Sequence, residues 1–378
     1  MLIMVLLIGN YPADQQQSML RFANMMRDGL ARAGVAVELI APRPFFGRIR
    51  FAGAFVAKWL GYVDKFLIFR GELRRRTARG VEIVHICDHS NAIYGRWIRR
   101  QPVVVTCHDL LAVRGSLGEV PDTPASATGK YLQRWIVSGL RKADAVACVS
   151  NATRRDAERL VRQNGARPRF LVIPLGLNYP FRKTEPARAR ALLAPLAGLV
   201  PERPFALHVG SNLRMKNREG VLRIFALTKD NWDGQLVFAG NKLTPQLRSL
   251  GKELGVLDRV VEVESPESEL LEALYSSALV LLYPSRYEGF GWPIIEAQAC
   301  ACPVICADRE PMSEVAGEAG LTAPLEDEVA MARALLRLTD PAERARWSEK
   351  SLRNAQRFQT DEMIASYIAL YRSLGLQG

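Results

Sequence analysis

The sequence predicts an α/β protein with two doubly wound parallel sheets, one in each half of the chain. Short apolar runs of strand length recur throughout, and stretches with helical spacing of apolar residues separate them. The runs are apolar at successive positions rather than alternating, as in strands buried on both faces. At 378 residues the chain has the length of two ordinary domains. The stretch Asn178–Arg203, rich in Pro, Ala and charge, reads as the connection between them. The expected division is 1–178, a connection over 179–204, and 205–357, followed by a terminal helical segment over 358–378.

The first run, Met1–Ile8, is too short to span a bilayer. It lacks a basic segment ahead of it and a cleavage site after it. It is expected to be the first buried strand. Polar residues from Asp14 to Ser18 then start a helix with Met19, Phe22, Ala23 and Met26 on one face. Further strands are expected at Val35–Ile40, Val81–Ile86, Val103–Cys107 and Ala145–Val149, and this half ends near Phe170–Gly176. Ser150 or Asn151 can cap the helix that follows Val149. The pair His108-Asp109 ends one strand, and Asp88-His89-Ser90-Asn91 ends another.

The second half opens at Phe205–Gly210 and continues through Gln235–Gly240, Val260–Val263, Ala278–Tyr283 and Pro303–Cys306. Behind its first strand lies Gly210-Ser211-Asn212-Leu213-Arg214-Met215-Lys216-Asn217, a strand-to-helix loop with two cations. Such a loop is a natural phosphate site. Behind Ala278–Tyr283 lies Ser285-Arg286-Tyr287-Glu288-Gly289-Phe290-Gly291-Trp292-Pro293-Ile294-Ile295-Glu296. Pro293 suits a helix's first turn. The segment is thus a strand, a glycine loop and a helix N-terminus, flanked by two carboxylates. Glycines let a backbone approach a ligand, and the free N–H groups of a helix start favour an anion. Glu288 and Glu296 are hydroxyl acceptors. A sugar carrying a nucleotide diphosphate offers both phosphates and hydroxyls. The last helix, Thr360–Leu374, sets Met363, Ile364, Tyr367, Ile368, Leu370 and Tyr371 at helical spacing.

The run from Glu288 to Glu296 resembles the E-x7-E signature of retaining glycosyltransferases of the GT-B fold, family 4 (glycosyltransferase group 1). The resemblance continues through Ala297–Ile305 and Glu310–Val315. It implies two Rossmann-like domains facing a central cleft, with the terminal segment 358–378 packing back on the first domain. It implies that Lys216 and Arg214 hold the donor diphosphate, with Ser211 in the slot that many relatives give to the arginine. It places Glu288 on the sugar hydroxyls, Glu296 on the ribose, and the Gly289-Phe290-Gly291 backbone at the phosphates. His108 is implied to lie near the donor sugar. Lys216, Glu288 and His108 are therefore the catalytic candidates. Asn10, Asp14 and His89, in loops at the ends of first-half strands, are assigned to the acceptor side. The loop after the first strand departs from relatives, which carry a glycine pair where this chain has Gly9-Asn10.

No Asp-x-Asp occurs in the chain, so no metal is expected to hold the diphosphate. The six cysteines fit no zinc spacing and sit in apolar patterns, as reduced thiols of a cytosolic protein do. The net charge of +12 is uneven. Arg43, Arg48, Arg50, Lys58, Lys65, Arg70, Arg74, Arg75, Arg76 and Arg79 face only Asp64 and Glu72 in their stretch, with Phe45, Phe46, Phe51, Phe55, Trp59, Phe66, Leu67 and Phe69 interleaved. Basic, aromatic and amphipathic together point to an anionic membrane surface. A solvated surface is the plain alternative, and no nucleic-acid motif accompanies the charge.

The expected activity is metal-independent transfer of a sugar, with retention, from a nucleotide-diphosphate donor. The acceptor would be a lipid-linked or saccharide hydroxyl used in cell-surface polysaccharide or glycolipid assembly. The expected location is cytoplasmic, peripheral on the inner face of the cell membrane. Two other readings share the fold: a nucleotide-sugar epimerase, which needs no acceptor, and a non-catalytic nucleotide-sugar-binding subunit.

Overall fold

The computed structural model describes residues 4–14, 16–46, 54–78, 80–162, 168–200 and 202–376, without the side chains of 4 and 54–58. Two compact units emerge. The first takes residues up to Asn178 together with those from Thr360, and the second runs Tyr179–Gln359.

In the first unit, strands β1 (Met4–Ile8), β2 (Ala36–Ile40), β3 (Val81–Ile86), β4 (Val103–Cys107), β5 (Ala145–Cys148) and β6 (Arg169–Val172) form one sheet in the order β2-β1-β3-β4-β5-β6. All its pairings are parallel. The inner strands are covered on both faces, with Val5 to Ile8 and Val104 to Val105 at 0% exposure, which explains the unbroken apolar sequence of β1, whereas the edge strands β2 and β6 are mostly half-buried. The chain leaves β1 in both directions across the sheet, so the ends of β1 and β3 flank the point where strand order reverses. Such a switch point opens a crevice at the carboxyl edge.

The terminal helix Thr360–Ser373 packs in this unit. Tyr371 Oη lies 2.6 Å from His85 Nδ1, and Tyr367 Oη lies 2.7 Å from Thr106 Oγ1, which in turn lies 2.7 Å from His85 Nε2. Each buried polar atom of this network has a partner, so the network can be enclosed without an unpaired group.

In the second unit, β7 (Phe205–Gly210), β8 (Gln235–Gly240), β9 (Val260–Glu264), β10 (Val280–Tyr283), β11 (Val304–Ala307) and β12 (Gly320–Ala323) follow the order β12-β11-β10-β7-β8-β9, again all parallel. Counted from β7, this is the 3-2-1-4-5-6 order of dinucleotide-binding sheets, and its switch point lies between β7 and β10. Residues 179–204 group with this unit. Glu185 caps a helix over Pro186–Leu193 by accepting from the N–H groups of Ala187 and Arg188 at 2.9 and 3.0 Å. That helix docks on Ser268–Ser277 through Arg188–Glu269 at 2.5 Å and Thr184 N–H to Ser276 Oγ at 2.9 Å. Among the described residues no helix is long and apolar enough to cross a membrane.

Candidate active site

The site of the second unit is built at its switch point. The loop after β7 and the loop after β10 are stitched together by a backbone and a side-chain hydrogen bond. Arg286 N–H donates to Met215 O at 2.7 Å, and Asn217 Nδ2 donates to Pro284 O at 3.0 Å. Asn217 does this from the left-handed region, φ 52°, immediately before the helix Arg218–Ala226. Asn is one of the few residues with a side chain that tolerates this conformation.

This stitching brings Lys216 to Glu288. Lys216 Nζ lies 2.7 and 2.9 Å from the Glu288 oxygens and 3.2 Å from Tyr283 Oη. The Tyr283 hydroxyl donates to Glu288 Oε1 at 2.7 Å. The Lys216 and Glu288 side chains are 18% and 9% exposed, so the pair is well shielded yet reachable. Tyr283 is fully buried, and burial together with the Glu288 carboxylate pushes its hydroxyl far above its ordinary pKa. It therefore acts as a permanent donor. A cation, a carboxylate and a phenol converge here, at the position where a doubly wound sheet takes its ligand.

Gly291 leads into the helix Trp292–Ala299 with φ 103°, a backbone that L side chains rarely adopt. Phe290, between the two glycines, is buried and stacks edge-on with Phe358 at 5.7 Å, which anchors the loop. Glu296 is 5% exposed, and its Oε2 accepts from Tyr275 Oη at 2.9 Å. Arg214 is exposed and Ser211 half-buried, on the same loop as Lys216. The partners Tyr283 and Tyr275 were missed from sequence. Tyr283 had a signal, as the last residue of a buried strand directly ahead of the motif. Tyr275 lies in the last turn of the helix Ser268–Ser277 and had none.

The first unit holds a second cluster, at its own switch point. Asn10, after β1, donates through Nδ2 to Asp88 Oδ2 and Gln16 Oε1, each at 2.5 Å, and accepts from Asn91 Nδ2 at 3.2 Å. Asp88, after β3, also accepts from Ser90 and faces His89 Nδ1 at 3.1 Å. Burial opposes charge on both members. The His89 imidazole nevertheless holds Asp88 well below the usual carboxylate range, and Asp88 in turn holds His89 above its ordinary value. His108 directly follows β4, stacks edge-on against Phe22 at 4.7 Å, and lies with Nε2 at 2.9 Å from Cys87 O. A carbonyl only accepts, so Nε2 carries the proton and Nδ1 is left as an acceptor. Burial keeps this histidine neutral.

Asp14 lies apart from the cluster, at the rim of a cavity of about 590 Å³ lined by Tyr11, Gln16, Tyr62, Lys65, Asn91 and Gln133 among others. One turn of π-helix, Asp64–Ile68, forms a wall of it. Such turns frequently mark functional sites. The Asp64 carboxylate turns inward, accepting from Tyr11 Oη at 2.8 Å and from the N–H groups of Phe45 and Phe46 at 3.0 and 3.1 Å. Lys65 pairs with Asp14 at 2.5 Å and lies over the rings of Tyr11 and Tyr62.

Of the basic stretch, Arg43, Arg70, Arg74 and Arg75 are exposed. Phe45, Trp59 and Leu67 beside them are 70%, 50% and 68% exposed. Arg76 pairs with Glu38 at 2.7 Å, and Lys65 is held in the cavity wall. Arg48, Arg50, Phe51 and Arg79 lie outside the described residues, as do the side chains of Phe55 and Lys58. Among the described residues no group of three His, Cys, Asp or Glu could hold a metal ion, and the six cysteines are buried and unbridged.

Residues 197–353 match the family model described as glycosyl transferases group 1, and residues 20–179 match that described as glycosyltransferase family 4. A D-inositol 3-phosphate glycosyltransferase of Acidothermus cellulolyticus is 30% identical over 293 residues, covering 72% of this chain and 62% of that protein. The O-antigen chain mannosyltransferase B of Escherichia coli is 27% identical over 289 residues, covering 73% and 71%. The match thus spans less than two thirds of the first of these relatives. Among solved structures, sucrose-phosphate synthase from Thermosynechococcus elongatus superimposes with a TM-score of 0.76 at 24% identity, over 98% of this chain and 99% of that one. Anabaena HepE in complex with UDP and glucose gives 0.72 at 17%, again over 98% and 99%. At these identities the likeness is one of fold: the two-domain α/β GT-B class that the resemblance implied.

Proposed function

The chain belongs to glycosyltransferase family 4, and from that membership we propose that it moves a sugar, with retention, from a nucleotide-diphosphate donor to an acceptor hydroxyl. The observation that carries this reading is the convergence of Lys216, Glu288 and Tyr283 at the switch point of the second sheet. The bound UDP of Anabaena HepE supports a nucleotide-diphosphate donor.

In this reading Lys216 shares its charge between Glu288 and the departing diphosphate, and Arg214 with the Gly289–Gly291 backbone takes the remaining phosphate oxygens. Glu288 accepts from sugar hydroxyls. Glu296, oriented by the Tyr275 hydroxyl on Oε2, accepts from the ribose hydroxyls. Preorganised charge at the leaving group supplies most of the rate gain. The chain's own cations and backbone donors do this work, and no metal is invoked. Attack comes from the face of the leaving phosphate, and no residue is needed as a covalent nucleophile.

His108, neutral and with Nδ1 as acceptor, receives a sugar hydroxyl. Asn10, His89 and the cavity beside Asp14 serve the acceptor. The exposed aromatic and basic groups around Phe45, Trp59, Leu67, Arg74 and Arg75 dock the protein on an anionic membrane from the cytoplasmic side. That fits a lipid-linked acceptor of glycolipid or polysaccharide assembly.

The test is a thermal-shift screen with ADP, GDP, UDP and their sugars, followed by transfer to acceptor extracts. The nucleotide that binds should stabilise by roughly 2–3 kcal/mol at a hundredfold excess over Kd. No shift with any of them removes the donor site. Isomerisation of the donor without an acceptor would point to an epimerase instead.

A further inference from the structure

Arg218 is placed where a cation is costly. It is 4% exposed. It is the first residue of the helix Arg218–Ala226, where the helix dipole opposes positive charge. Its Nη1 donates to Asn212 Oδ1 and, at 2.9 Å, to Asn241 O, and its guanidinium stacks on Phe238 at 4.5 Å. Nε and Nη2 are buried without a hydrogen-bond partner. Among the described residues no carboxylate pairs with it. Glu262, which acts on it through space, is engaged by Arg248 at 2.6 Å and by Leu243 N–H at 2.7 Å. Burial lowers the Arg218 pKa to about 10, which still leaves it charged at neutral pH.

Buried charges are normally paired, because an unpaired one costs the folded state heavily. Here the pairing is withheld beside a loop that carries two more cations. Lys216 is already neutralised by Glu288, so Arg218 supplies positive potential that no hydrogen-bonded carboxylate offsets. The local backbone is also drawn tight. Gly210 and Gly240 are register partners at the ends of β7 and β8, and a Cβ at Gly240 would stand 2.3 Å from Gly210 O. Arg218 ties the two loops that leave these glycines, through Asn212 on one and Asn241 on the other. His208, buried beneath with Nε2 unpartnered, is held neutral by burial and by the nearby cations Arg218 and Lys216. It does not supply the missing charge either.

We propose that Arg218 is a positioning residue for the anionic donor. It clamps the Ser211–Lys216 loop to the β8 loop and leaves a buried positive charge that the diphosphate of a nucleoside diphosphate compensates on binding. The proposal rests on the donor reading given above.

The experiment compares wild type with Arg218→Met and Arg218→Lys. Each is titrated with whichever of ADP, GDP and UDP binds the wild type best, with the matching nucleoside, and with inorganic pyrophosphate. The melting temperature is read without ligand. We expect Arg218→Met to melt at or above the wild-type temperature, because a costly charge is gone. Its Kd for the diphosphate and for pyrophosphate should rise about tenfold, as for loss of one partly shielded charge interaction. Nucleoside affinity should stay within about twofold, and Arg218→Lys should recover most of the diphosphate affinity. Unchanged diphosphate affinity in folded Arg218→Met overturns the proposal. So does a lowered melting temperature with nucleoside and diphosphate affinities falling together and no rescue by Lys, which is the signature of a purely structural clamp. If pyrophosphate binds but no nucleotide does, the donor reading fails and Arg218 is judged on pyrophosphate. If neither binds the wild type, both fall.

Discussion

Replacing Lys216 by Ala tests the site most directly, because stability and turnover should respond differently. The ammonium makes three close contacts, two with Glu288 and one with Tyr283, from a side chain that is 18% exposed. Its removal leaves a Glu288 carboxylate that is 9% exposed and retains the Tyr283 hydroxyl at 2.7 Å. Losing a charged hydrogen bond at such a place costs about 2 kcal/mol. For a unit of this size that lowers Tm by about 4–8 °C, leaving a folded protein. Loss of a leaving-group stabiliser should lower kcat about a hundredfold. The two effects separate in Lys216→Ala/Glu288→Gln. Removing the stranded carboxylate charge should restore most of the melting temperature while turnover stays low. The assay is steady-state transfer alongside a calorimetric melt. Near-normal kcat in folded Lys216→Ala refutes the assignment, whatever the melt shows.

Three further outcomes are expected. Transfer should survive EDTA, because the chain lacks Asp-x-Asp and offers Lys216, Arg214 and backbone donors to the diphosphate; complete loss restored by Mg²⁺ or Mn²⁺ would assign that charge to a metal. Burial lowers His85 and His208 from 6.5 to about 3, so each contributes stability that is present above about pH 6.5 and lost as pH falls towards 3. The loss is about 1.4 kcal/mol per pH unit per histidine, and the raised His89 works in the opposite sense by adding stability below about pH 6.5; His85→Gln should therefore flatten the fall in Tm between pH 7 and 5, and parallel curves would count against the buried neutral histidine. In liposome sedimentation the protein should prefer anionic vesicles and dissociate as salt rises, with Arg70, Arg74 and Arg75→Ser weakening binding but not donor hydrolysis; equal binding to neutral vesicles at low salt would leave this surface merely solvated.

Sequence reveals local pattern well and long-range pairing poorly, and this chain shows where the line falls. Most strands were legible because apolar residues dominate each run, and a single polar residue such as Glu38, Thr106 or His208 does not break it. β12 was not. It is a four-residue edge strand, Gly320–Ala323, mostly half-exposed, and too short to show a period. The helix Pro186–Leu193 was hidden by its Pro, Ala and Arg content, which reads as linker until Glu185 is seen capping it. Asp64 looked like one acid among many bases. It is instead a fully buried carboxylate that accepts from Tyr11, Phe45 and Phe46, and a π-helical turn that no spacing rule anticipates puts it there.

The candidate site follows the same logic. Glu288, Gly291 and Lys216 were legible because loop chemistry is local: glycines before a helix start, and cations after a strand. That Lys216 would grip Glu288 was not legible, because the two are 72 residues apart and meet only through strand order. Once β7 and β10 are neighbours, the loops behind them must share the switch-point crevice, and Asn217 closes the register by reaching Pro284. Arg218 was invisible for a related reason. Next to Lys216 it reads as one more solvated base, whereas the packing of Phe238, Asn212 and Asn241 puts it in the interior. A residue that breaks the rule against unpaired buried charge stands beside a loop whose sequence already suggested a phosphate. Conflicts between local and global preference are expected to gather at functional sites, and this one marks the Ser211–Lys216 loop independently of the motif that first drew attention to it.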